Sequence, residues 1–157
     1  MLRIALLLLL AAGPSIAQEA RIGFGAGDFD ATAPVEVAAD NLEVDQATGR
    51  ATLTGNVVIV QGDLRLSADM VTVDYATTGA DSRIERLNAI GGVLIVAGED
   101  AAEGEEATYT LASSDILLSG DVVVTQDGNT LAGDQLTVNL DSGAGTVTGR
   151  VRTTLQP

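Results

Sequence analysis

An internal repeat is the feature that most constrains what this chain can fold into. The runs Val57 to Gln61 and Val122 to Gln126 each follow a Gly-Asn or Gly-Asp pair, and both end in Gln. The shift that aligns them also aligns Asp69 with Asp134, without a gap. Further copies and half copies of the same pattern lie at 91–96, 39–45 and 145–149. The chain is therefore built from units of roughly 30 residues, a size typical of repeat proteins.

Each unit is too short to bury an apolar face by itself, so stacked units must share one continuous core. Within the units, short β-rich runs alternate with Gly, Asp and Asn, which leaves no room for a helix of about ten residues. Trp is absent and only 3% of the residues are aromatic, so Val, Ile, Leu and Ala must fill the core. This composition favours strands, and we expect an elongated all-β domain.

Alternation along the strands separates an inner face from an outer face. In the strands that follow a repeated Gly, every second residue is apolar, and the positions between tolerate Thr, as at Thr125. In the other strands, apolar residues alternate with Glu43, Thr72 and Thr137. The inward-facing candidates are Leu42, Val44, Leu53, Val57, Ile59, Leu66, Val71, Val73, Val93, Ile95, Val122, Val124, Leu136 and Val138. From the pattern alone, they either pack on one another as a dry sandwich core or line a groove that holds a ligand.

Four glycines and four carboxylates recur at matching places in the copies. The glycines predict a bend or bulge where a strand turns between two sheets, and they are Gly55, Gly91, Gly120 and Gly149. The carboxylates are Asp40, Asp69, Glu105 and Asp134. Because they lack the dense Asp, Asn and Gly spacing of a calcium loop, we expect them in turns or at strand edges and expect no metal site.

The N-terminus has the pattern of a secretion signal. Arg3 supplies a positive charge, an apolar run follows it, and Ser15-Ile16-Ala17 has the small-x-small form of a cleavage site. The apolar run is shorter than the ~20 residues needed to span a bilayer. We expect three parts: a signal peptide at 1–17, a flexible Gly- and Ala-rich lead-in at 18–34, and the folded domain at 35–157.

Composition excludes several classes of function. The net charge is −14 and all 8 basic residues are Arg, which is the wrong sign for a protein that binds nucleic-acid phosphates. With neither His nor Cys, the chain has no Ser/His or Cys/His catalytic pair, no zinc site of the usual ligands and no disulfide. We therefore expect no enzyme, no catalytic residue, no cofactor and no nucleic-acid partner.

Three motifs carry a family resemblance. They are Val-x-Val-x-Ala-Asp-x-Leu-x-Val-Asp at 35–45, Gly-x-Ala-x-Leu-x-Gly-Asn-Val at 49–57 and Ala-Asp-x-Val-x-Val-Asp at 68–74. Their order, behind a signal sequence, resembles the OstA-like family of periplasmic lipopolysaccharide transport proteins, also called the LptA family. The resemblance implies an open, V-shaped β-jellyroll of about a dozen short antiparallel strands. It also implies that the inward-facing residues named above line a lipid-binding apolar groove.

For function, the resemblance implies a periplasmic bridge that carries lipopolysaccharide, held by its lipid A part, from the inner to the outer membrane. The implied partners are an LptC-like inner-membrane component, an LptD-like outer-membrane translocon component and further copies of the chain. Because an open sheet leaves an unpaired strand at each end, we expect self-association through edge strands near 35–44 and 147–155. This chain is more acidic than the family pattern suggests, so few residues could meet the lipid phosphates: Arg50, Arg65, Arg83 and Arg86.

Two alternatives stay open. A structural β-solenoid or filament protein would use the same repeat with a dry core and would hold no lipid. The membrane-anchored component of the same transport system has a related fold with one retained spanning helix. The short apolar run and the Ser15-Ile16-Ala17 site argue against that anchor.

Overall fold

The computed structural model describes residues 18–25, 29–76 and 83–157, and every regular element in these ranges is a β-strand. The strands are β1 (Glu19–Gly23), β2 (Glu36–Ala38), β3 (Asn41–Asp45), β4 (Arg50–Gln61), β5 (Leu64–Tyr75), β6 (Ile84–Ala97), β7 (Asp100–Thr110), β8 (Asp115–Gln126), β9 (Asn129–Asn139), β10 (Ala144–Thr148) and β11 (Arg152–Thr154). All pairings are antiparallel, which confirms the expected all-β fold. The predicted signal peptide at 1–17 lies outside the described residues.

The strands form one open sheet. The body is a meander of six consecutive strands from β4 to β9. At one end, β2 and β3 both pair with β4. At the other end, β10 and β11 both pair with β9, and β1 pairs with the outer side of β10. Since no described strand joins the two ends, the sheet has an edge at each of them.

A shift in pairing register divides the long strands into two halves, and in β4 it falls between Thr54 and Val57. Matching shifts occur along the body of the sheet from β5 to β9. We call the first set of halves leaf A: residues 57–61, 64–68, 93–97, 100–104, 122–126 and 129–133, with β2 and β11. The second set is leaf B: residues 50–54, 70–75, 84–90, 106–110, 115–119 and 135–139, with β3, β10 and β1.

The leaves meet along a line of bends, called the spine below, that lies at the predicted glycines. Gly91 has a φ of 86°, and the carboxylate of Asp69 on the neighbouring strand packs over it. A Cβ added to Gly91 would lie 2.7 Å from Asp69 Oδ2. The other repeated pairs are Asp40 with Gly55, Glu105 with Gly120, and Asp134 with Gly149. The predicted bends are confirmed, because a positive φ and a close approach both require glycine at these positions. The carboxylates were expected in turns or at strand edges, and this is corrected: Asp69, Glu105 and Asp134 lie inside β5, β7 and β9, and only Asp40 lies between two strands.

The two leaves share one hydrophobic core. Buried side chains come from alternate positions of both leaves and form one continuous cluster. The Tyr109 hydroxyl, near the free end of leaf B, donates a buried hydrogen bond of 2.8 Å to Gln61 Oε1, near the free end of leaf A. The leaves therefore face each other, and we call the opening between their free ends the seam.

The flexible lead-in expected at 18–34 is corrected for β1. This strand pairs with β10 over its whole length, and Phe24 directly after it is buried. Ala20 and Ile22 turn toward the core because they lie opposite buried positions of β10, while Arg21 between them faces outward. The Gly- and Ala-rich composition concealed this short alternation.

Candidate functional site

The interior between the leaves is the candidate site. Twelve of the predicted groove residues lie on the inner faces and are less than 7% exposed: Leu53, Val57, Ile59, Leu66, Val71, Val73, Val93, Ile95, Val122, Val124, Leu136 and Val138. In the described chain they pack against one another and against further aliphatic side chains. These twelve residues therefore lie on the inner face, as the alternation predicts. Their side chains fill the space between the leaves.

Leu42 and Val44 differ from the other predicted groove residues, since they are 63% and 59% exposed. The register places them opposite Leu53 and Ala51, so they also lie on the inner face. However, β3 is an edge strand, and no described residue covers its inner side. Leu42 and Val44 therefore take the predicted inward face but are not buried, because alternation predicts which face a residue takes and not whether its strand is the last in the stack.

A buried polar contact at the seam was not anticipated from the sequence. Gln61 and Tyr109 are both buried, and their hydrogen bond joins leaf A to leaf B. Burial raises the pKa of the Tyr109 phenol to about 12, since the charged form would lose its water, and Asp141 adds to the shift by repulsion. The repeat aligns Tyr109 with Val73, which indicates an inward position, but nothing local identifies its partner.

The seam also holds a cleft of about 750 Å³. Its lining includes Leu64 and Ala97 from leaf A, Leu140 beside leaf B, and the aromatic rings of Phe24 and Phe29. The cleft lies at the free ends of the strands, so at the seam the apolar interior is in contact with solvent.

The chain between β1 and β2 is fastened to leaf A at two described points. The Gly25 N–H donates to Asp100 Oδ2 at 2.8 Å. The Gln61 side-chain amide donates to the carbonyl oxygens of Ala31 and Ala33, at 3.3 and 3.2 Å. Gln61 therefore connects this segment to leaf A and, through Tyr109, to leaf B.

The charged side chains lie away from the interior. Arg50 pairs with Asp74 at 2.8 Å, and Arg150 pairs with Asp134 at 2.5 Å. The hydrogen bond from Arg150 holds the pKa of the Asp134 carboxyl below its ordinary value. The remaining headgroup candidates are all exposed: Arg65, Arg83 and Arg86. In the part of the chain that the structure describes, no cluster of Asp and Glu could hold a metal ion.

The described residues also contain no helix long and apolar enough to cross a membrane. The apolar run of the predicted signal lies outside those residues.

Comparison with known proteins identifies a family. Residues 36–144 match the family described as LptA/(LptD N-terminal domain) LPS transport protein. An uncharacterised protein of Rhizobium meliloti is 33% identical over 133 residues, which cover 79% of this chain and 72% of that protein. The lipopolysaccharide export system protein LptH of Pseudomonas aeruginosa is 28% identical over 138 residues, covering 82% of this chain and 77% of LptH.

The fold also matches a solved structure. The crystal structure of LptH, the LptA-homologous periplasmic component of the lipopolysaccharide transport device of Pseudomonas aeruginosa, superposes with a TM-score of 0.72 at 23% identity. The match covers 82% of this chain and 99% of that chain. The open sheet with facing leaves is therefore an open β-jellyroll, as the resemblance implies.

Proposed function

The chain belongs to the LptA and LptD N-terminal-domain family of lipopolysaccharide transport proteins, and on this premise we propose that it is a periplasmic lipopolysaccharide carrier. The family is one of transport proteins and not of enzymes. The proposed carrier holds the acyl chains of lipid A between its two leaves. The observation that supports this best is one continuous apolar face that runs the length of both leaves, from the exposed Leu42 and Val44 at one edge to the buried Val147 near the other.

The physical need for such a face follows from the ligand. Each CH₂ group left in water costs about 0.8 kcal/mol, so one acyl chain of a dozen carbons costs roughly 10 kcal/mol as an upper bound. A lipid with several such chains needs an apolar shield to cross an aqueous compartment. Small aliphatic side chains on both leaves supply most of that shield, and the buried aromatic rings among the described residues, Phe24 and Tyr109, lie near the free ends of the leaves.

Because side chains fill the interior of the described chain, lipid entry requires the leaves to part. The seam is the place for this, since the spine is fixed by the backbone of every long strand. Two described hydrogen bonds cross the seam: the Tyr109 hydroxyl donates to Gln61 Oε1, and the Gln126 side-chain amide donates to the Gly23 carbonyl oxygen. These directional contacts must break when the leaves part, whereas the non-directional apolar contacts can shift. The cleft at the seam, lined by Phe24, Phe29 and Leu64, is the proposed entrance.

The carrier works as one link in a chain of β-jellyrolls. The edge formed by β2 and β3 exposes backbone groups together with the inner-face side chains of Val37, Leu42 and Val44. A second copy or a related jellyroll that pairs with this edge would cover both. We propose that an LptC-like inner-membrane component and an LptD-like outer-membrane component occupy the two ends of such a stack, in the periplasm, after removal of residues 1–17.

One observation favours a second candidate. The twelve buried groove residues form a dry, filled core in the described chain, as a structural β-solenoid or filament protein would. That alternative predicts the same end-to-end joining and no bound lipid, so lipid capture distinguishes the two.

Photo-crosslinking in cells tests the proposal. A benzoylphenylalanine at Ile59, Ile95 or Val124 lies between the leaves and should capture lipopolysaccharide. The matched control positions Val58 and Thr72 lie on the outer faces and should capture much less. Equal capture at inner and outer positions, or none at either, would contradict a carrier that holds lipid between its leaves.

A further inference from the structure

β1 is the one described strand without a counterpart in the other leaf. The two halves of each strand from β4 to β9 match each other across the spine. At one end β2 on leaf A matches β3 on leaf B, and at the other β11 matches β10. β1 extends leaf B by one strand, about 4.8 Å, beyond leaf A. Leaf A and leaf B therefore have the same number of strands at this end only when β1 is absent.

β1 also pairs with β10 in the same register in which β3 pairs with β4. The sequence repeat aligns Val147 with Leu53 and Gly145 with Ala51. Ala20 lies opposite Val147, where Leu42 lies opposite Leu53. Ile22 lies opposite Gly145 and packs so closely over it that an added Cβ would come within 2.9 Å of the Ile22 side chain. The outer edge of β10 therefore receives the kind of strand with which the domain begins.

We propose that the outer edge of β10 is a docking site for β3 of a second copy, and that β1 occupies this site in the monomer. The inference rests on the proposed end-to-end joining and adds that joining requires displacement of β1. The N-terminal strand is then a cap that competes with the incoming strand.

Strand direction supports this assignment. In leaf B, strands alternate in direction from β3 through β10, so β10 runs opposite to β3, whereas β1 runs in the same direction as β3. In a head-to-tail stack, β3 of the next copy would pair antiparallel with β10 but parallel with β1. Parallel pairing is slightly weaker per residue. On leaf A, β11 runs opposite to β2. The pairing of β11 with β2 of the next copy would therefore be antiparallel whether or not β1 is present.

The spine gives a second, independent argument. Along the sheet, strands that carry a spine carboxylate alternate with strands that carry a spine glycine, from Asp40 to Gly149. The next strand should carry a carboxylate, and β1 reaches the spine with none. Asp40 of a second copy continues the alternation only if its strand lies directly beside the strand of Gly149.

Charge complementarity on leaf A agrees with the same joint. Arg152 of β11 and Glu36 of β2 are exposed on the outer faces of the two edges. When β11 of one copy lies beside β2 of the next, these side chains come to the same face of the joined sheet. Opposite charges on one face of a strand pair attract and favour this order of ends over the reverse.

Two variants test whether β1 competes with a second copy. The reference is the chain from Gln18, and the first variant begins at Phe24 and so lacks β1. The second variant, Glu19→Cys with Thr148→Cys, locks β1 onto β10, because these residues are direct partners and the chain has no other cysteine. Sedimentation velocity measures self-association over a range of concentrations, and Glu19→Cys alone is the control.

We expect the chain without β1 to associate at a concentration about tenfold or more below the reference. The oxidised double variant should stay monomeric, and reduction should restore association to the level of the control. If the oxidised and reduced forms associate equally, β1 is not a competitor and the inference fails, while end-to-end joining stands. If no form associates, joining itself fails and the inference fails with it. If the shortened chain loses its β-sheet circular dichroism, the oxidised and reduced forms of the double cysteine variant alone test whether β1 competes with a second copy.

Discussion

At the scale of single residues, every second long strand bends at a glycine, and a carboxylate on or beside the neighbouring strand packs over it. Gly91 illustrates the requirement, because it combines a φ of 86° with the close approach of Asp69. Its neighbour Gly92 also has a positive φ, of 55°, but nothing lies within 4 Å of the place where its Cβ would be. Comparing substitutions at these two adjacent glycines therefore distinguishes the cost of backbone strain from the cost of crowding.

We expect Gly92→Ala to lower the free energy of unfolding by about 1 kcal/mol, through backbone strain alone. Gly91→Ala should cost at least about 1 kcal/mol more, since its methyl group collides with the Asp69 side chain. Adding Asp69→Ala to Gly91→Ala should recover part of the difference, because it removes the carboxylate but leaves the Cβ atom of residue 69, which lies 2.9 Å from the place of the added methyl group. Urea unfolding of the three variants measures this, and equal losses for both glycines would show that the carboxylate does not crowd the bend.

Tyr109 ties the free end of leaf B to the free end of leaf A through its hydrogen bond to Gln61. Tyr109→Phe leaves the buried Gln61 oxygen without its donor, so we expect a loss of about 1 to 3 kcal/mol of stability. The folded state raises the phenol pKa from 10.0 to about 12 and thus favours the protonated form. The stabilisation is therefore complete below pH 10 and is lost as the pH rises toward 12.

Urea unfolding at several pH values between 8 and 12 measures this effect. The wild-type chain should lose stability across the upper part of the range, and Tyr109→Phe should lose less. Tyr75→Phe, which changes the other tyrosine of the chain, is the matched control and should follow the wild type. An alkaline loss that Tyr109→Phe leaves unchanged would mean that another group causes it.

At the scale of strands, alternation decides which substitutions the sheet tolerates. Ile95 lies between the leaves and Leu94 beside it lies on the outer face. Ile95→Asp places a carboxylate without a partner in an apolar interior, so we expect a loss of about 3 kcal/mol or more. Leu94→Asp should cost about 1 kcal/mol or less. Similar losses for the two variants would contradict the assigned faces.

The strands also show how far the sequence alone reaches. The repeat predicts the strands of the body, their inner faces and the bends at Gly55, Gly91, Gly120 and Gly149, because all of these follow from local alternation and from glycine's backbone freedom. β1 was not predicted, since a five-residue strand in a Gly-rich segment acquires its structure from β10, more than a hundred residues away in the chain. The bond between Gln61 and Tyr109 was missed for the same reason, because only the closed fold brings the two together.

At the scale of the whole molecule, the two edges have opposite roles in the proposed stack. Arg152→Glu at one edge, or Glu36→Arg at the other, should weaken self-association about tenfold by placing like charges together. An equal mixture of the two variants should associate as well as the wild type, because each joint then again has opposite charges. Sedimentation of the mixture measures this. A mixture that stays as weak as its components would argue against the proposed joint between β11 and β2.

The central claim is that the interior between the leaves carries lipid, and the lipid retained by the protein tests it most directly. Mass spectrometry of the chain purified gently from its native periplasm should detect lipopolysaccharide with the wild type and with Leu94→Asp, and much less with Ile95→Asp. A wild-type protein that retains no lipid when taken from cells that make lipopolysaccharide would contradict the carrier and favour a β-solenoid with a dry core.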